Sequence, residues 1–129
     1  MIMFDIDDFK HINDTYGHDA GDIVLQGIGE ILSYRCRAKT IEAFRYGGEE
    51  FTLLIYDGEL LSPSAIAENI RHEIVAQKWQ FNETVTVSIG VADKAAADKD
   101  LPILKQADIF LYYAKNHGKN QVCSAVPKA

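Results

Sequence analysis

Cysteine is scarce in this chain of 129 residues. Cys36 and Cys123 stand far apart and form no metal or redox motif, which points to a reduced, cytosolic setting. Long apolar runs are missing as well. None approaches the ~18 residues a membrane span needs, and Met1 to Phe4 is too short for a signal-peptide core. Nor is there a basic excess: 13 Lys and Arg against 19 Asp and Glu give a net charge of −6. That balance argues against nonspecific binding to nucleic acid or an anionic membrane. A nucleotide stays compatible with it, because a metal can bring a phosphate to a carboxylate. Repeats, low-complexity segments and internal linkers are also absent. What remains is one domain of ordinary globular composition, long enough for a real core.

Strand and helix signals alternate along the chain. Ile2-Met3-Phe4 reads as a short buried strand, and Asp8 to Thr15 as a short polar helix. Tyr16 to Gly21 reads as a loop. From Asp22, Val24, Leu25, Ile28, Ile31 and Leu32 recur at helical spacing to about Cys36. Gly27 and Gly29 inside that helix each cost about 1 kcal/mol against alanine, so close packing on a sheet is expected there. A hairpin follows: Ile41 to Tyr46, two glycines, then Phe51 to Tyr56, ending around Asp57-Gly58. Ser62-Pro63 reads as an N-cap with a first-turn proline, and Ile66, Ile70 and Ile74 mark one face of a helix to about Lys78. Val85 to Val91 alternates as a strand, with Trp79 to Phe81 as a candidate hairpin partner. The last helix is expected from about Asp100 to His117, with Leu101, Leu104, Leu111 and Ala114 inward and Gly118 at its C-cap. Gln121 to Ser124 reads as an edge strand and 125–129 as a tail. A mixed α/β domain over residues 1–124, helices packed on a sheet, is the expectation. Opening almost at once on a buried strand points to a missing upstream part.

Two acidic segments carry the chemistry. In Arg45-Tyr46-Gly47-Gly48-Glu49-Glu50-Phe51, the glycines allow positive φ and leave room against the backbone. Glu49 and Glu50 are read as opening the returning strand, where successive side chains alternate faces. In Phe4-Asp5-Ile6-Asp7-Asp8-Phe9-Lys10, carboxylates begin where the first strand ends, the position at which open α/β sheets place ligands. Together they suit Mg²⁺, which takes hard oxygen ligands and keeps waters and substrate phosphates in its shell. The ordinary alternatives are a solvated carboxylate beside a common glycine turn and an acidic N-cap from Asp7 or Asp8. Asp5 is the residue that capping explains least.

On these residues the chain resembles the GGDEF domain, the catalytic domain of bacterial diguanylate cyclases. The matching segments are Phe4 to Lys10, Ile12 to His18, Gly21-Asp22, Arg45 to Phe51 in a Gly-Gly-Glu-Glu-Phe variant, Val87 to Val91, Ala107-Asp108, Ala114-Lys115 and Gly118-Lys119-Asn120. They occur in the family's order across almost the whole chain. The resemblance implies a palm-like nucleotide-cyclase fold with a central mixed, largely antiparallel sheet flanked by helices. It implies condensation of two GTP to cyclic di-GMP with loss of two pyrophosphates, each domain holding one GTP and two domains facing each other across a two-fold axis. By position, Asp5, the backbone carbonyl of Ile6, and Glu49 would hold Mg²⁺, with Mn²⁺ as a substitute. Glu49 or Glu50 would accept the proton of the attacking 3′-hydroxyl, and Lys10 would stabilise the transition state. Asn13 and Asp22 would read the guanine edge. Phe9 and His18 would contact the nucleotide, Gly47 and Gly48 would let phosphates lie on the main chain, and Lys115 and Lys119 would grip the terminal phosphates.

Ordinary roles exist for several of these: turn formation for Asn13, loop stabilisation for His18, a helix cap for Asp22, and a favourable helix C-terminus for Lys115 and Lys119. The chain also departs from the family's pattern. The helix and Asp-x-Leu-Thr-Gly-Leu-x-Asn-Arg stretch that usually precede the first strand are missing. The Arg-x-x-Asp product-inhibition positions fall at Ala38 and Ile41, so no feedback inhibition through that site is expected. Lys119 stands where arginine is frequent, and it loses bidentate geometry. An active cyclase is the leading expectation, in a cytosolic domain whose parent carries an upstream sensor or receiver and whether or not that parent is membrane-bound. A catalytically silent module that binds GTP or cyclic di-GMP is the alternative. No nucleic-acid polymer and no direct membrane contact are expected for this stretch.

Overall fold

The computed structural model describes residues 1–56, 59–93 and 100–125. Among these residues five strands form one sheet: β1 (Ile2–Ile6), β2 (Ile41–Gly47), β3 (Glu50–Ile55), β4 (Val87–Val91) and β5 (Gln121–Cys123). Four α-helices among the same residues flank it: α1 (Phe9–Tyr16), α2 (His18–Arg35), α3 (Pro63–Ala76) and α4 (Ile103–Asn116). The spatial order is β2-β3-β1-β4-β5, antiparallel except for the β4–β5 pair.

β1 is the central strand and is buried along its whole length. Strand side chains alternate faces. Ile2, Phe4 and Ile6 therefore enter the large core beneath α2 and α3, with Val24, Ile28, Ile66, Ile70, Ile74, Phe51, Leu53, Val87, Ile89 and Val91. Met3 falls on the other face, in a smaller cluster with Ala92 and with Ala107 and Leu111 of α4. Asp5 shares the parity of Met3. The period that makes β1 a core strand thus obliges its one carboxylate to face the α4 layer.

Gly90 sets how close that layer sits. A Cβ there would lie 2.2 Å from the Ala107 carbonyl oxygen and 2.4 Å from the Leu111 nitrogen. An interior strand glycine commonly marks such a close backbone approach.

Several expectations need correction. β1 does not stop at Phe4 but carries Asp5 inside the ladder. The loop over Tyr16 to Gly21 shrinks to Gly17 alone (φ 91°), and α2 begins at His18. Trp79 to Phe81 forms no strand. Trp79 lies against Gly27, where a Cβ would meet its ring at 2.7 Å, and Phe81 stacks between Trp79 and Tyr16. Gly27 therefore makes room for a tryptophan rather than for the sheet, and a Cβ on Gly29 would meet nothing. On α4, Gln106 and Ala107 turn inward while Leu104 is exposed. The helix signal at Ser62-Pro63 is as expected, with the Ser62 hydroxyl accepting from the Ala65 N–H at 3.1 Å. The hairpin end at Asp57-Gly58 and most of the tail lie outside the described residues.

Candidate functional site

The two acidic segments meet at one end of the sheet. Asp5 pairs in register with Glu50 on β3 and with Ser88 on β4. Directly opposed residues share a face, so Asp5 and Glu50 stand side by side toward α4. Glu49 lies in the turn rather than at the start of β3, and its carbonyl accepts from the Ile6 N–H at 3.3 Å. Only Gly48 takes positive φ (39°). Arg45 steadies it, donating from Nε to the Gly48 carbonyl at 2.8 Å. A Cβ at Gly47 or Gly48 would meet nothing within 4 Å, so the turn is open on its outer side.

Asp5 is buried at 2% exposure. One carboxylate oxygen, Oδ2, is ion-paired with the Lys115 ammonium from α4. The other, Oδ1, is buried without a hydrogen bond of normal geometry, the Ile6 N–H being only a weak influence on the carboxylate. Burial pushes the Asp5 carboxyl above the usual range, the Lys115 ammonium opposes that, and the charge of Asp7 adds to the rise. Glu49 is raised by partial burial first and then by the charge of Asp5, with Lys115 again opposing. The two carboxylates therefore share one electrostatic field. Two like charges held in a half-dry site destabilise each other unless a cation lies between them.

Asp7, also buried, is saturated instead. It accepts from the Ser88 hydroxyl at 2.6 Å, the Thr86 hydroxyl at 2.8 Å and the Asn120 N–H at 3.0 Å. Asp8 occupies the N-cap position of α1 but makes no capping bond, so the capping reading fails for both residues. Its carboxylate pairs with Lys119 at 2.6 Å. Lys115 and Lys119 are thereby both brought to the end of β1.

On the other side of that end, α1 and α2 fold back on each other at Gly17. A Cβ at Gly21 would sit 2.0 Å from Asn13 Oδ1 and 3.1 Å from the Phe9 ring. The missing side chain lets Asn13 and Phe9 lie against the first turn of α2, next to Asp22. Asp22 also lines a 610 Å³ groove with Gln26, Phe44 and Arg45. Lys10 and His18 are exposed, without a polar contact among the described residues. Sequence reasoning missed the roles of Asp7, Arg45 and Gly90. The strand glycine was a usable signal; the hydrogen bonds of Asp7 left none.

The donors fit a hard divalent cation. They are oxygens only, and one buried carboxylate oxygen has no partner of normal geometry. Among the described residues no three His, Cys, Asp or Glu side chains could hold a metal by themselves, so a cation bound here would need backbone, water or substrate oxygens to complete its shell.

Comparison with known proteins identifies the family and the fold. The family model described as the diguanylate cyclase GGDEF domain matches residues 1–121. Diguanylate cyclase A of Treponema denticola is 38% identical over 136 residues, covering 100% of this chain and 36% of that protein. Diguanylate cyclase DgcM of Escherichia coli is 40% identical over 125 residues, covering 97% and 30%. The solved active GGEEF domain of a Vibrio cholerae diguanylate cyclase superposes with a TM-score of 0.81 at 30% identity, over 98% of this chain and 82% of that one. This chain belongs to the GGDEF domain family. It spans about a third of the length of the curated relatives it matches, and none of the helices described is long and apolar enough to cross a membrane.

Proposed function

We propose that this domain is the catalytic unit of a diguanylate cyclase that condenses two GTP into cyclic di-GMP. The observation that carries the reading is the under-satisfied carboxylate of Asp5, set beside Glu50 and within the field of Glu49 at an open glycine turn. Asp5, the Ile6 carbonyl and Glu49 would hold Mg²⁺, or Mn²⁺ in its place. Bound there, the ion would supply positive charge to neutralise the triphosphate and align it for in-line displacement.

The residues of the chain would do the rest. Asn13 and Asp22, set by the Gly17 corner, would bind the guanine edge, Asp22 accepting from N–H groups that adenine lacks. Phe9 and His18 would flank the nucleotide. Lys115 and Lys119 would exchange their present carboxylate partners for phosphate oxygens, and Gly47 and Gly48 would admit phosphates to the main chain. Lys10 would approach the charge that develops at the α-phosphorus. Glu49 or Glu50 would take the proton of a partner ribose 3′-hydroxyl as its oxygen bonds to that phosphorus and pyrophosphate leaves.

The second hydroxyl must come from a second copy facing the first across a two-fold axis. Control of that encounter would fall to an upstream sensor or receiver in the parent protein, with this domain in the cytosol. The test incubates full-length protein with GTP and Mg²⁺ and separates the nucleotides by chromatography. Cyclic di-GMP formed by wild type and lost in Glu49→Ala supports the proposal. Nucleotide binding without turnover favours a silent binding module instead.

A further inference from the structure

Three carboxylates cluster at the end of β1, and the reaction proposed above employs only Asp5. Asp7 ties three separate segments together, its own included. Its own N–H donates to the Thr86 carbonyl at 2.9 Å, and its side chain takes the Ser88 and Thr86 hydroxyls and the Asn120 N–H. Those bonds join the strand end that presents Asp5 and Ile6, the start of β4, and the turn after α4 that presents Lys119.

The backbone around this junction is unusual. Asp8 (φ 55°), Lys119 (φ 59°) and Asn120 (φ 45°) are three of the four non-glycine residues with positive φ among the described residues. Such conformations persist where surrounding contacts over-determine them, and they gather at functional sites. The contacts here are Asp7 to the Asn120 N–H, Asp8 to Lys119, and Arg71 Nη1 donating to Asn120 Oδ1 at 2.9 Å. Arg71 is itself held by Glu68.

We propose that Asp7 is a positioning residue for the proposed reaction. Its carboxylate fixes the metal-binding end of β1 and the phosphate-gripping turn at 119–120 at one spacing. This rests on the diguanylate cyclase reading. Asp7 does not touch the metal or nucleotide; its effect passes through Asp5, Ile6 and Lys119. An asparagine is compatible with that spacing. Its amide oxygen can take the Thr86 and Asn120 donors while the Ser88 hydroxyl rotates to accept from the amide nitrogen.

The test uses full-length protein with Mn²⁺ and a non-hydrolysable GTP analogue, read by Mn²⁺ electron paramagnetic resonance and calorimetry well below the melting temperature. Asp7→Ala is expected to weaken Mn²⁺–analogue binding about 10- to 100-fold, the usual loss when a partner that orients metal ligands is removed. Asp7→Asn should stay within about threefold of wild type. A core variant matched to Asp7→Ala in melting temperature, such as Ile70→Ala, should bind normally. If Asp7→Ala fails to fold, the Thr86→Val/Ser88→Ala double variant takes its place, with an expected loss of about tenfold. Wild-type affinity in the folded Asp7→Ala protein, or in the double variant where that is needed, overturns the inference. Equal losses in Asp7→Ala and Ile70→Ala also overturn it. Wild-type protein that binds neither Mn²⁺ nor the analogue overturns the functional reading and this inference together.

Discussion

Asp5 and Asp7 lie two residues apart at the end of one strand, both buried, in opposite chemical states. Asp7 is surrounded by donors from β4 and from the turn after α4, so its carboxylate serves as scaffold. Asp5 has one half-exposed lysine and an oxygen without a partner of normal geometry, beside two more carboxylates. Native interiors rarely leave a buried polar atom without a partner. The difference teaches how to separate a structural acid from a ligand-binding one: by what is still missing from its shell, not by its burial.

The largest expected effect breaks that contrast on the Asp5 side. Asp5→Ala and Glu49→Ala should each lower cyclic di-GMP formation on the order of 10³-fold while far-UV circular dichroism stays native. Retained turnover in either would return both residues to an ordinary structural role. Next is Gly90→Ala, whose Cβ strikes α4 backbone rather than a flexible side chain. A loss of about 2–4 kcal/mol in urea unfolding is expected as α4 is pushed off and Lys115 is drawn from Asp5.

Lys115→Met sharpens the comparison by stripping Asp5 of its one cationic partner among the described residues. Metal-free stability near neutral pH should fall by about 1–2 kcal/mol. That is less than a fully buried pair would cost, because the Lys115 side chain is 37% exposed. Binding of Mn²⁺ without nucleotide should tighten, since the competing ammonium is gone. Unchanged Mn²⁺ affinity would mean that the lysine and the metal do not compete for Asp5.

The raised carboxyls of Asp5 and Glu49 give a pH signature with a definite sign. Both bind protons more tightly folded than unfolded. Their contribution is therefore fully present below the unfolded pKa and declines as pH rises through the ordinary carboxylate range, near pH 4, toward the folded values. Urea melts of wild type against Asp5→Asn isolate that decline, which should be smaller in the variant. The smallest effect belongs to Gly21→Ala. Its methyl would displace the flexible end of Asn13, raising KM for GTP about tenfold with little change in kcat.

The sequence made one half of this legible. The apolar run Ile2 to Phe4, helical spacing in Val24 to Leu32 and the Ser62-Pro63 start correspond to observed elements, and the alternation read over Val85 to Val91 does so from Val87 onward. They are local signals, each written within one segment. The carboxylates beside the glycine turn were visible as candidates for the same reason. Trp79 to Phe81 misled because aromatic residues suit both a strand and a stack on a helix, and only the space left by Gly27 decides between them. The role of Asp7 depends on partners 79, 81 and 113 residues away. Such bonds have no local pattern, so Asp7 and Asp8 look alike until the turn after α4 is in place.

The most direct test is a crystal structure of the domain with Mn²⁺ and a non-hydrolysable GTP analogue, with the metal located by anomalous scattering. The account predicts an ion at about 2.0–2.2 Å from oxygens of both Asp5 and Glu49, with the Lys115 ammonium moved from Asp5 to phosphate. A bound nucleotide with Lys115 still on Asp5, and no metal between the two carboxylates, would contradict it.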